Sequence, residues 1–346
     1  MLLVGLLASG CVANASPAKD AHEGARQSPS VSGRFDVGGH RLYIECRGTG
    51  TPTMVLGHGQ GASRTTWDRI WPDLLKMGRV CRYDRAASGN SEVGPVPTTS
   101  GRIVRDLHKL LEAAGVPPPY VMVGHSFGGL NAQLFARTFP SEVSGLVLIE
   151  SSSRDYDVRR SVQGAMPEDP TERQLLLEFI EVFNAMMHDY TMSPEGVDWE
   201  TSYQELSGAT DFGGIPLYVV TAGDRTWTSP PAFPPPLKER VARLWLDAQT
   251  KLATRSSRST HVVAEGAGHL VHEDRPDIVI KAIKAVLEAA GSGVIGAPSP
   301  ESGAVQQAAA VRRCRAPQLG TLAPPQPGER GHPSIVAHTV RLEPAW

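Results

Sequence analysis

The amino-acid sequence predicts an α/β fold, a mostly parallel sheet with helices on both faces and a helical insertion. Three observations predict it. Short apolar runs alternate with amphipathic helical stretches along most of the chain, the pattern of successive strand–helix units. Some runs, such as 145–149 (GLVLI), are apolar throughout, as strands buried on both faces are. The alternation breaks over 152–211, where charge is high, a helical pattern spans 172–187 and no strand is evident.

Taken in order, 34–37 and 41–46 read as strands of a hairpin, with Gly38 and Gly39 supplying the turn. A short apolar strand at 53–56 runs into Gly57-His58-Gly59. Apolar spacing of three and four predicts a helix over 67–77, with Pro72 confined to its first turn or kinking it. A strand at 79–83 precedes an amphipathic helix at 102–114, which Gly115 stops. The strand 120–124 leads into a helix at 128–139, and the strand 145–149 closes the first half. After the insertion come a strand at 217–221, a helix at 237–252, a strand at 261–264 and a helix at 277–290.

The two ends differ from this body. Residues 1–10 (MLLVGLLASG) form a short apolar stretch that reads as an export signal, although no Lys or Arg precedes it. Leu7 to Cys11 loosely matches a lipoprotein signal, which would leave a lipid anchor on Cys11, whereas cleavage after Ala13-Asn14-Ala15 would release a soluble chain and make 1–15 the signal. Residues 16–33 are small and polar, hence a flexible leader. The Pro-, Ala- and Arg-rich 291–346 lacks periodicity and is expected to be irregular. The body of the chain is thus 34–290.

Composition removes several classes of function. With 40% hydrophobic and 20% charged residues the chain can bury a core, and a formal net charge of −2 gives no electrostatic case for nucleic acid. No apolar run approaches the roughly 20 residues of a membrane-spanning helix. No H-x-x-x-H or C-x-x-C pattern marks a metal, and no G-x-G-x-x-G follows a strand, so neither metal nor nucleotide cofactor is expected.

The segment Gly124-His125-Ser126-Phe127-Gly128 lies between a strand and a helix. A serine hydroxyl is a weak nucleophile and needs a base in reach and an exposed, tight setting. Small residues two before and two after Ser126 allow the sharp turn that lifts its hydroxyl above the end of a sheet. An incidental serine in a glycine-rich turn is the bland alternative, and the flanking strand and helix argue against it.

With this segment, the chain resembles the α/β-hydrolase superfamily over 34–290, in particular bacterial esterase-like serine hydrolases. His58-Gly59-Gln60-Gly61, Tyr83-Asp84-Arg85 and Gly266-Ala267-Gly268-His269 also carry the resemblance, with Ala87 or Ser88 where a glycine is common after the YDR segment. The resemblance implies an eight-stranded, mostly parallel sheet with a cap at about 152–211. It implies Ser126 as nucleophile and His269, after the last strand, as base; His272 is the rival, and His125 should point to the far side of the turn. The acid is left between Asp224, after the penultimate strand, and Glu150, at the end of the strand following the nucleophile helix. The oxyanion hole would use the backbone N–H groups of Gln60 and Phe127, while Asp84 and Arg85 hold the loop after the fourth strand. The second and fourth strands are antiparallel neighbours in this fold, which makes Cys46 and Cys81 a disulfide candidate.

The expected activity is hydrolysis of a small or medium carboxylic ester, with a non-catalytic binding or sensing protein as the alternative. Phe179, Phe183, Met186, Met187, Tyr190 and Trp199 of the insertion offer apolar surface, either lining a pocket or holding the cap down.

Overall fold

The computed structural model describes residues 30–156, 166–207 and 211–291. The predicted export signal, leader and tail lie outside these residues, except for 30–33 and Gly291, as do the side chains of Met186 and Met187. Eight strands form one sheet: β1 (Val31–Asp36), β2 (Arg41–Arg47), β3 (Thr53–Gly57), β4 (Val80–Tyr83), β5 (Tyr120–His125), β6 (Val143–Ile149), β7 (Leu217–Ala222) and β8 (Ser259–Ala264). Their spatial order is β1-β2-β4-β3-β5-β6-β7-β8, and β2 alone runs against the others.

Strand periodicity explains why the sheet is covered on both faces. Val55, Met122, Leu146, Leu148 and Val219 face one side and pack with α2 (Ser100–Ala113) and α3 (Phe127–Thr138). Their neighbours Met54, Leu56, Val121, Val123, Val147, Ile149 and Val220 face the other, against α1 (Trp71–Leu75) and α8 (Pro276–Gly291). The remaining helices among the described residues are α4 (Pro170–His188), α5 (Trp199–Glu205), α6 (Pro235–Ala253) and α7 (Val271–Asp274).

The helix expected over 67–77 is shorter. A 3-10 turn over Arg64–Trp67 precedes α1, which starts at Trp71 and holds Pro72 in its first turn, where the missing N–H costs nothing. Trp67, Ile70, Trp71 and Leu74 are buried all the same, so the apolar spacing was satisfied without a continuous helix.

Cys46 and Cys81 stand opposite one another in the β2–β4 register and are joined by a disulfide, with Cα atoms 4.0 Å apart. The insertion packs through both of its helices: Leu176 and Phe179 of α4 meet Phe233, Leu237 and Val241, with the Phe179 and Phe233 rings 5.4 Å apart, and Glu205 of α5 accepts the Gly101 N–H of α2 at 2.6 Å. Trp199 of α5 lies 4.6 Å from the Phe127 ring at the start of α3. Phe179 and Trp199 therefore hold the insertion down, whereas Tyr190 is exposed.

Sheet order also locates the site. From β3 the chain crosses to β4 on one side, then returns to β5 on the other. The loops after β3 and β5 thus diverge at a switch point, and open α/β sheets bind ligands at such crevices.

Candidate active site

Ser126 sits between β5 and α3 with φ 52° and ψ −119°, a conformation that non-glycine residues rarely adopt. Its neighbours leave no room for larger side chains. A Cβ on Gly124 would lie 2.4 Å from the Gly128 carbonyl oxygen, and one on Gly128 would lie 2.2 Å from that of Gly57. The elbow is tied to the end of β6: Ser126 N–H donates to Ile149 O at 3.1 Å, and Ser152 N–H donates to Ser126 O at 3.0 Å.

That tie brings Glu150 into the site. It has φ 45°, donates its N–H to Val220 O at 2.7 Å, and is fully buried. Its Oε1 accepts from Ala222 N–H at 2.6 Å and Trp245 Nε1–H at 3.2 Å. Its Oε2 faces His269 Nδ1 at 3.6 Å. Burial pushes the Glu150 carboxyl up to about 7, against the pull of these donors and of Arg225. Burial lowers His269 to about 4, so at neutral pH its imidazole is unprotonated and free to accept a proton.

His269 is held from several sides. Its carbonyl accepts from His125 Nε2 at 2.9 Å, and the Trp227 ring lies 4.2 Å from its own, tilted by 46°. Asp274 Oδ2 accepts Gly268 N–H at 2.8 Å, which closes its loop onto α7. The His125 ring lies against this loop, 4.8 Å from the His269 ring, and beside Gly59, where a Cβ would lie 3.0 Å from its Nδ1. The rival His272 is buried, with Nε2 2.8 Å from Thr66 Oγ1.

Asp224 is placed differently. It is exposed, and its Oδ1 accepts Thr226 N–H at 2.9 Å at the start of a 3-10 turn, Thr226–Thr228. Among the described residues no ion pair joins it to His269.

The loop after β3 comes up to the nucleophile: a Cβ on Gly59 would lie 3.4 Å from Ser126 Cβ. Phe127 N–H belongs to the first turn of α3, whose donors lack intrahelical acceptors. His58 is buried, its Nδ1 bonded to Gly59 O at 2.8 Å, and burial with Arg85 nearby holds it well below the usual histidine range. Asp84 is buried and accepts from Arg64 N–H at 2.7 Å and Asn90 N–H at 2.9 Å, so it does hold the loop after β4. Arg85 does not share that task. Its guanidinium reaches the carbonyls of His58 and Gly59, after β3, and pairs with Glu195 of the insertion. An open groove of about 510 Å³ lies alongside, lined by Ser63, Thr65, Thr66, Ser88 and Glu195 among others.

A family model described as "Alpha/beta hydrolase family" matches residues 54–282, a span that contains the elbow, Glu150 and His269. The chain belongs to the alpha/beta hydrolase family. This places it among hydrolases. "Uncharacterized protein YqjL" of Bacillus subtilis (strain 168) is 28% identical over 251 residues, covering 72% of this chain and 89% of that one. The "Putative carbamate hydrolase RutD" of Azorhizobium caulinodans is 33% identical over 115 residues, covering 33% of this chain and 42% of the relative. The enol-lactonase of Burkholderia xenovorans LB400 shares the fold at a TM-score of 0.51 and 19% identity, covering 74% of this chain and all of that one (100%). A laboratory-evolved variant of potato epoxide hydrolase StEH1 does so at 0.54 and 14%, with 75% and 100% covered.

Sequence reasoning missed Glu195, Trp227 and Trp245. None has a local signature, since each reaches the site from a distant loop or helix. Arg85 stood in a motif, but its partner 110 positions away did not.

Proposed function

We propose that the chain is a serine hydrolase of carboxylic esters that works through an acyl-enzyme on Ser126. The observation that carries this reading is the strained Ser126 elbow tied by its backbone to the strand end that presents buried Glu150 to His269 Nδ1. In this reading His269 Nε2 takes the Ser126 proton as Oγ attacks the ester carbonyl. The N–H groups of Gln60 and Phe127 receive the developing oxyanion. Collapse of that intermediate expels the alcohol, which takes the proton from His269. Water, deprotonated by His269, then attacks the acyl-enzyme, and the acid leaves with Ser126 restored.

Glu150 is the acid we assign to this set, because its free oxygen faces Nδ1 while the Asp224 carboxylate caps a surface turn. Its task is to keep the proton on Nδ1 in the resting state and to stabilise the imidazolium. A fluorophosphonate probe tests the reading. Wild type is expected to be labelled at Ser126 and Ser126→Ala to stay unlabelled; an unlabelled wild type would leave a binding protein on this fold. A series of p-nitrophenyl esters of graded chain length then reports the acyl preference.

We also propose export. The apolar N-terminus fits a signal, and a disulfide such as Cys46–Cys81 persists in oxidising compartments. Localisation of the tagged full-length chain tests this: retention in the cytosol with both thiols free would reject it.

A further inference from the structure

A buried ion pair between the body and the insertion, Arg85 with Glu195, lies against the loop after β3 that carries Gln60. In a trans peptide the carbonyl and the following N–H point in opposite directions. The Gly59 carbonyl and the Gln60 N–H form one such unit. That carbonyl accepts from Arg85 Nη2 at 2.8 Å and from His58 Nδ1 at 2.8 Å, so the whole plane is fixed from the carbonyl side. Arg85 Nη1 also donates to His58 O at 2.5 Å, and the Arg85 backbone N–H reaches His58 Nε2 at 3.3 Å.

Arg85 is itself held by Glu195. Its Nε and Nη2 donate to the two carboxylate oxygens at 2.6 and 3.0 Å, and both side chains are 2% exposed. The same carboxylate accepts Gly61 N–H at 2.8 Å, on the far side of Gln60. Glu195 thus grips the loop twice, directly at Gly61 and through Arg85 at His58 and Gly59. It comes from the insertion, on a segment stitched to the loop before α2 by Thr98 N–H to Gly196 O and Asp198 N–H to Thr98 O, each 2.8 Å.

We infer that Arg85 and Glu195 are positioning residues that aim the Gln60 N–H at the oxyanion, so that seating the insertion and forming the oxyanion hole are one event. The inference rests on the serine-hydrolase reading above, and the two fail separately.

The test compares wild type, Glu195→Gln and the double variant Arg85→Met with Glu195→Leu. Replacing both members of a buried pair by apolar residues commonly leaves the fold intact, whereas removing one strands a charge. Each is assayed for ester kcat and KM, for inhibition by an aryl trifluoromethyl ketone, whose adduct carries an oxyanion, and for thermal unfolding. An oxyanion donor is worth about 10²–10³ in kcat. The double variant should therefore lose about that factor in kcat and in ketone affinity together, while KM stays within a fewfold of wild type. Glu195→Gln keeps an acceptor for Gly61 and should lose less, in the same proportion for both readouts. A folded variant with unchanged kcat and ketone affinity overturns the inference, as does a kcat loss without a matching loss of ketone affinity. If the double variant does not fold, Glu195→Gln decides by the same two outcomes. Wild type that resists fluorophosphonate would instead sink the serine-hydrolase reading itself.

Discussion

Glu150→Gln removes one charge and almost no volume from the most enclosed part of the site, and its effects on stability and activity should have opposite signs. Glu150 is fully buried, and its carboxyl is raised from 4.5 to about 7. A raised value in the folded state means that the stabilising contribution is complete below about 4.5 and is lost as pH rises through about 7. At about 1.36 kcal/mol per pH unit, the ionised carboxylate costs the fold about 3 kcal/mol at pH 8. His269 has the opposite sense: lowered from 6.5 to about 4, it costs stability as pH falls through that interval. Between the two, the folded and unfolded pair each hold one proton, and wild type should be nearly flat. Gln resembles the protonated acid at all pH values. Glu150→Gln should therefore match wild type near pH 4.5 and exceed it by about 3 kcal/mol at pH 8. For a domain of this size that is about 6–12 °C in melting temperature.

Activity should fall instead. The Gln amide can accept from Ala222 and Trp245 with its oxygen, which turns its NH₂ toward His269 Nδ1. That donor forces the imidazole proton onto Nε2, the nitrogen that must accept from Ser126. A wrong tautomer of this kind costs about 10⁴ in kcat. Melting curves at pH 4.5 and 8, with p-nitrophenyl ester turnover, read both effects. Activity within tenfold of wild type, or a lower melting temperature at pH 8, would refute the reasoning. Asp224→Asn is the control: Asn also caps a turn, so little should change, and a large loss there would transfer the acid role to Asp224.

Three further outcomes follow from the packing. Cys46→Ser with Cys81→Ser opens a loop of sequence separation 35 and should lower unfolding free energy by about 4 kcal/mol, read from urea midpoints; an unchanged midpoint would mean the bond does not form. Gly128→Ala sets a Cβ 2.2 Å from the Gly57 carbonyl and should cost roughly 3–5 kcal/mol, or abolish soluble expression, whereas native-like melting would show that the elbow yields. Ala87 has φ 60°, where a side chain costs roughly 1–2 kcal/mol that glycine does not pay. Against about 0.4–1 kcal/mol of extra unfolded-state entropy, Ala87→Gly should be neutral to stabilising, by up to about 1.6 kcal/mol; a lower urea midpoint would contradict this.

The parts of this molecule legible from sequence are those whose cause is local. The inner strands were, because each is a short apolar run between turn residues, and the glycines at 124 and 128 announce a turn wherever it occurs; β1 (VSGRFD) is no such run, and it begins at Val31, inside the expected leader rather than at residue 34. His269 was legible from its place after the last strand. The choice between Glu150 and Asp224 was not. Both follow a strand at the same end of the sheet, and what separates them is one backbone angle, φ 45° at Glu150, and a path that leaves it under the Trp245 indole. The helix expected over 67–77 was misjudged for a related reason, since a 3-10 turn followed by a short α-helix can bury the same four side chains.

Arg85 shows the same limit from another direction. Its motif was visible, yet the expectation that it steadies the loop after β4 assigned it to its own neighbourhood. A guanidinium with five donors is satisfied by whatever acceptors the fold supplies, and here those are two carbonyls after β3 and a carboxylate from the insertion. Once buried it cannot be left with part of that set, because an unpaired charge in the interior costs several kcal/mol. The requirement runs both ways. A loop whose carbonyls satisfy Arg85 is no longer free to rotate its peptide planes, and an insertion that supplies Glu195 is no longer free to leave. Electrostatic necessity at Arg85 is therefore enough to make the two segments move together, whatever substrate the site receives.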